Sequence, residues 1–158
     1  FRCQLIHLKI ILWNKPLDIG LCNKAVSVIK IMRISQKQID AVIALEGTKR
    51  YKHFIKVIAD TQEVWGLYKD GWALAGTEDN QKVFPVWPAK EYAELCAENE
   101  WVGYEAEPFS LDDFMNELFP TLKDDEVLIG VFYTPLDNGV TPEIGQVLKD
   151  LEIELENY

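Results

Sequence analysis

Few side chains in this sequence combine type and spacing in a way that supports covalent chemistry. From Met32 onward the chain holds one histidine, His53, and one cysteine, Cys96. A thiol becomes a nucleophile when a base takes its proton, and nothing in the spacing brings His53 to Cys96. A single cysteine and a single histidine also fall short of a structural zinc set. Cys96 follows Tyr92 by one helical turn and reads as a small buried hydrophobe. The phosphate-cradling patterns G-x-x-x-x-G-K-[ST] and G-x-G-x-x-G are absent, as is the G-x-S-x-G elbow. We therefore assign no catalytic residue, no metal ligand and no cofactor. Carboxylates are plentiful: Glu98, Glu100, Glu105, Glu107, Asp112, Asp113, Glu117, Asp124, Asp125 and Glu126. Paired acids can exchange protons or hold magnesium. Here they fall in expected turns, helix starts and polar faces, with Asp124-Asp125-Glu126 reading as a solvated turn.

Two groups of residues point to binding instead. Lys49, Lys52 or His53, and Lys56 recur on one face of a predicted helix, with Arg50 beside them. Such a stripe suits an anion or an acidic partner; the alternative is a solvated face opposite Tyr51, Ile55 and Ile58. Trp65, Trp72, Trp87 and Trp101 lie in a stretch dense in aromatics. Tryptophan is a typical contact residue, so some of these four are expected to form a partly exposed patch. The alternative is ordinary sheet packing.

Charge sharpens the choice of partner. The chain carries a net −10, but unevenly. Residues 1–31 hold Arg2, Lys9, Lys15, Lys24 and Lys30 against Asp18, a net of +4, while residues 32–158 hold 11 basic and 25 acidic residues, a net of −14. That acidity argues against nucleic-acid binding and suits a basic protein partner, besides favouring solubility. With two of the three cysteines at Cys3 and Cys22 there is no disulfide framework, which fits a cytoplasmic setting. The apolar run Leu5–Trp13 is broken by His7 and Lys9 and is too short to span a bilayer, so no membrane association is expected.

The elements that must position these residues start after Met32, the first methionine. Residues 1–31 lack the acids of the rest and are expected to be a non-native or read-through leader, from an upstream or misplaced start or an appended artefact. The rival reading is an N-terminal strand or helix packed on the domain. Residues 32–158 are read as one α+β domain. Ser35 and Gln38 form an S-x-x-Q capping box ahead of a helix over about 36–46, ended by Gly47. A second helix covers about 48–59. Strands follow at 63–69 and 72–75, joined by the Asp70-Gly71 turn, and at 82–87. Pro88 opens a third helix reaching about Asn99. A fourth strand is read at 101–105. Ser110 and Asp113 cap a fourth helix, in which Leu111, Phe114, Met115, Leu118 and Phe119 share a face up to Pro120. The run Val127–Tyr133 is a central strand, and Thr141 caps a last helix with Pro142 in its first turn. The expected architecture is an antiparallel or mixed sheet of about five strands with about five helices, two of them first.

One resemblance adds to this reading. Arg50-Tyr51, Phe54-Ile55-Lys56, Glu63-Val64-Trp65-Gly66-Leu67 and Asp70-Gly71-Trp72-Ala73 are similar to the domain-of-unknown-function family 2750. So are Val86-Trp87-Pro88 with Glu91-Tyr92-Ala93, Trp101, Leu111-Asp112-Asp113-Phe114 and the Val131-Phe132 strand. The likeness covers about residues 36–158. It implies a small bacterial cytosolic protein and brings no catalytic residues. The tryptophan-rich strands before a Trp-Pro helix start also resemble small immunity-type domains. The leading expectation is a non-catalytic protein-binding module, inhibitor- or immunity-like. Its rivals are a small-ligand protein or enzyme with an aromatic and carboxylate-lined pocket, and a domain whose main feature is a homodimer.

Overall fold

The computed structural model describes residues 33–98 and 101–158. The leader expected at 1–31, the acid Glu100 and the helix end at Asn99 lie outside the described residues. Ser35 starts the fold as its spacing predicts. Its hydroxyl accepts the Gln38 N–H at 3.3 Å, and the Gln38 side chain accepts the Ser35 N–H at 3.0 Å. In chain order the elements are α1 (Gln36–Ile43), α2 (Gly47–Thr61), β1 (Glu63–Tyr68), β2 (Ala75–Gly76), β3 (Lys82–Val86) and α3 (Lys90–Ala97). Then come β4 (Glu105–Ser110), a continuous helical segment α4 over 111–124, β5 (Leu128–Val131) and α5 (Ile144–Leu155). Five helices and five strands among the described residues make this an α+β domain, as expected.

The strands form two small sheets. β1 and β4 pair antiparallel over their whole length, from Glu63 opposite Ser110 to Tyr68 opposite Glu105. In the other sheet β3 lies between β2, antiparallel, and β5, parallel. Trp65 and Trp87 join the two sheets by exchanging both backbone hydrogen bonds at 2.9 Å. This link explains a strand the sequence hides. β4 contains Pro108, which has no N–H to give, opposite Trp65. Both polar backbone groups of Trp65 are already bonded to Trp87, so that register asks nothing of Pro108. The strand predicted at 101–105 is therefore displaced to 105–110. The segment after Asp70-Gly71 is not the return strand expected at 72–75: its backbone meets β1 at the Trp72–Tyr68 bridge and the Ala73 N–H to Leu67 carbonyl bond of 2.8 Å, and the Trp72 ring packs over Gly66.

Other departures have local causes. Gly47 begins α2 instead of ending α1; a Cβ there would come within 2.9 Å of Val140 Cγ1. α3 starts two residues beyond Pro88, at Lys90. Glu143, not Thr141, precedes the first turn of α5, and no side chain caps it. α4 passes through Pro120 because the preceding turn widens. Phe114–Leu118 is a π-turn, with Phe119 N–H bonded to the Phe114 carbonyl. Proline in a helix interior removes one bond and crowds the carbonyl four residues back, and a wider turn relieves that crowding.

The core is continuous across both sheets. Phe54 and Ile58 of α2, Leu67, Phe84, Trp87, Phe114, Leu118, Leu122, Ile129, Phe132 and Leu151 are all fully buried. Each such side chain contributes roughly 1.5–3 kcal/mol by leaving water. α2 packs on α5, where the Tyr51 hydroxyl donates to Asp150 at 2.7 Å. Burial, the hydrogen bond and the Asp150 charge together hold the Tyr51 hydroxyl protonated well above its ordinary range.

Candidate functional site

The basic helix face is divided by the fold. Lys49, Lys52 and Lys56 are exposed, whereas Arg50 is turned inward with 3% of its surface accessible. The reason lies at the end of α1, whose last carbonyls have no helical partner. Arg50 donates to the carbonyl of Leu45 at 2.7 Å and that of Ile43 at 3.3 Å, and pairs with the Asp137 carboxylate. A planar cation with several fixed donors suits this triple contact. Arg50 is thus an anchor between the α1–α2 connection and a distant loop.

His53 and Cys96 both approach the chain just after β5, without forming a nucleophile–base pair. The His53 ring lies 6.3 Å from that of Phe132 and hydrogen-bonds to no described residue. Burial, and secondarily Lys56, lower its pKa, so the imidazole is neutral at neutral pH. Cys96 is buried, with its Sγ 3.4 Å from the Tyr133 carbonyl. Among the described residues, no group of three His, Cys, Asp or Glu side chains is placed to hold a metal ion.

The four tryptophans separate into two pairs. Trp87 and Trp101 are core residues, and neither presents a contact surface. Trp87 Nε1 donates to the Tyr133 carbonyl at 2.8 Å. Trp101 packs edge to face on Trp87 at 6.1 Å and on Tyr133 at 6.2 Å. The parallel strands β3 and β5 end at this point, and the two indoles fill the space beyond their ends. Trp65 and Trp72 are half-buried and retain accessible surface.

The most elaborately built surface feature is the loop after β5, which sequence reasoning passed over. Phe132 has φ +61°, a left-handed conformation costing roughly 1–2 kcal/mol for a side chain of this size. It turns the chain while its own N–H still reaches the Val86 carbonyl at 3.0 Å. Thr134 and Asp137 then close a four-residue turn, with Thr134 N–H to Asp137 carbonyl at 2.8 Å and the reverse bond at 3.3 Å. Gly139, at φ +68°, lies so close to the strand that a Cβ would fall 2.3 Å from the Val131 carbonyl. Val140 then pairs with Val131 through bonds of 2.7 and 3.1 Å. The outcome is a fixed turn with Pro135 exposed and Leu136 at its tip, 91% accessible. The signal was present: Thr-Pro-Leu-Asp has proline at the second turn position, and Asn138-Gly139 follows.

Fold and site together define a small acidic α+β domain in which Cys96 is packed into the core, His53 is half-buried against Phe132, and the loop after β5 faces outward. The chain belongs to the family described as Protein of unknown function (DUF2750), which matches residues 51–151. A comparison with curated proteins found no match. No helix among the described residues is long and apolar enough to cross a membrane.

Proposed function

We propose that this domain is a non-catalytic protein-binding module of inhibitor type, acting on a basic protein partner through the turn Thr134–Asp137. The observation that carries the reading is Leu136, almost wholly accessible at the tip of a turn fixed by Arg50, Phe132 and Gly139. A single exposed leucine is ordinary on a protein surface. A leucine raised by a buried arginine and a strained aromatic is not, since strain persists where the surrounding structure maintains it. The net charge of −14 over residues 32–158 supports a basic partner, steering its approach at low salt.

Affinity capture from source cells at low and high salt, followed by mass spectrometry, tests this. The expected result is a basic protein that is retained at low salt, lost at high salt, and lost with Leu136→Asp. Ile153→Asp, an equally apolar exposed site on α5, should retain it. An unchanged set of captured proteins in Leu136→Asp refutes the reading.

A further inference from the structure

A second fixed turn stands beside the first. Trp101–Tyr104 is closed by the Tyr104 N–H to Trp101 carbonyl bond of 3.0 Å. Its third residue, Gly103, has φ +88°, the position at which a type II turn takes glycine. A Cβ there would also come within 2.9 Å of Lys69 Nζ, so the lysine chain lies over the glycine. The second residue, Val102, is left at the tip, 70% accessible. Turns take Gly, Pro, Asn, Asp or Ser for conformational reasons. An exposed valine has no such reason and leaves apolar surface in water.

The two turns share one foundation. Trp101, which opens the second turn, is buried, and its ring packs edge to face on Tyr133 at 6.2 Å. Tyr133 immediately precedes the Thr134–Asp137 turn. Short chain paths from this ring contact hold the Cα atoms of Val102 and Leu136 within about 30 Å of each other at most. A standard interface, of about 800 Å² per partner, is roughly that wide. Among the described residues, the large apolar side chains that stand exposed are Val102, Leu136, Ile153 and Tyr158. Apolar residues scattered singly need no explanation. Two of these four, however, occupy the tips of hydrogen-bonded turns fastened to each other at their bases.

We infer that Val102 and Leu136 are two anchors of one contact surface, which docks a basic protein offering two separate apolar recesses. The inference rests on the preceding reading for Leu136 and adds Val102 to it. Charge identifies the occupant. Exposed Glu98 and Glu105 flank the Val102 turn, opposed by Lys69, and Asp137 beside Leu136 is offset by Arg50. Over residues 32–158 the net charge is −14, which attracts a basic surface and repels a second copy of this chain. Two anchors also do what one cannot. A partner held by a single leucine can rotate about it, whereas a second fixed tip sets its orientation. Because both turns are ordered before contact, engaging the second adds little ordering cost.

The experiment places the photo-crosslinker p-benzoylphenylalanine in the full chain, in place of Val102, Leu136 or Ile153, one at a time, and irradiates source cells. Mass spectrometry identifies the adducts. The Val102 and Leu136 replacements are expected to capture the same basic protein, and the Ile153 replacement to capture none of it. With that protein purified, Val102→Asp should weaken binding roughly ten-fold, as loss of a buried anchor does, and Ile153→Asp should leave it within about two-fold. Different proteins at the two positions, adducts between copies of this chain, or equal weakening by the two aspartate variants overturns the inference. So does an adduct from one turn alone; where that turn is the one bearing Leu136, the preceding reading still stands. No adduct from either turn overturns both.

Discussion

Replacing Arg50 separates two explanations for a buried cation. Arg50→Met keeps the apolar stem and removes every donor. The 2.7 Å bond to the Leu45 carbonyl is charge-assisted and well placed, while the 3.3 Å bond to Ile43 is weaker. Together they are worth about 2–3 kcal/mol, since a hydrogen bond from a charged donor contributes about 1.5–3 and a long one less. The ion pair adds little, because the Asp137 side chain is 51% accessible and exposed pairs give roughly 1 kcal/mol or less. Arg50→Met should therefore cost about 3 kcal/mol and lower Tm by roughly 10 °C. Asp137→Asn should cost less than about 1 kcal/mol. Urea unfolding measures both, read from the midpoint with the slope m unchanged. Hydrogen exchange at the Thr134 and Asp137 amides adds a local readout and should accelerate in Arg50→Met. If Asp137→Asn proves as costly as Arg50→Met, the ion pair and not the carbonyl contacts carries the anchor, and the reasoning is wrong.

The remaining predictions concern the same loop and its neighbour. Gly139→Ala should cost at least about 2 kcal/mol, from the left-handed backbone and the clash with the Val131 carbonyl. Gly145→Ala, in α5 with nothing near its Cβ position, should instead stabilise by about 0.5 kcal/mol; thermal unfolding of the pair checks both signs. His53 has a pKa below its ordinary 6.5 in the folded state. The unfolded chain therefore binds the proton more readily, and this contribution to stability is present above pH 6.5 and lost as pH falls through the folded pKa. His53→Gln should flatten the decline in stability from neutral to mildly acid pH, and urea midpoints across that range showing an unchanged slope would contradict it.

Much of this fold is legible because its signals are local. Ser35 and Gln38 announce α1 within four residues, and the recurrence of Phe54, Ile55 and Ile58 announces α2. The Val127–Tyr133 run announces β5, although the strand covers only Leu128–Val131 and lies at the end of its sheet beside β3, which takes the central place; Asp70-Gly71 does turn the chain, with Asp70 at φ +53°. What stayed hidden depends on distant neighbours. Glu-Ala-Glu-Pro-Phe-Ser looks like no strand until Trp65 has turned its polar groups to Trp87. Pro120 looks like a terminator until the turn before it widens. Arg50 reads as part of a lysine stripe because its reason for turning inward, Asp137, lies 87 residues away.

The same dependence on distant contacts bears on how well Leu136 can bind. Ordering one residue costs roughly 1–2 kcal/mol of backbone entropy, so a slack loop fixing Thr134 to Asp137 on contact would lose several kcal/mol of affinity. Here that order exists before any partner arrives. Phe132 holds its strained backbone because its ring is fully buried against Tyr92, 4.8 Å away, and because Trp87 fixes the next carbonyl. The 1–2 kcal/mol stored at Phe132 is smaller than the ordering cost it removes. A partner with an apolar cavity for one leucine, ringed by basic residues, would meet a turn that needs no rearrangement. The gain should appear as fast association at low salt, a rate that loosening the anchor through Arg50→Met reduces even where the domain stays folded.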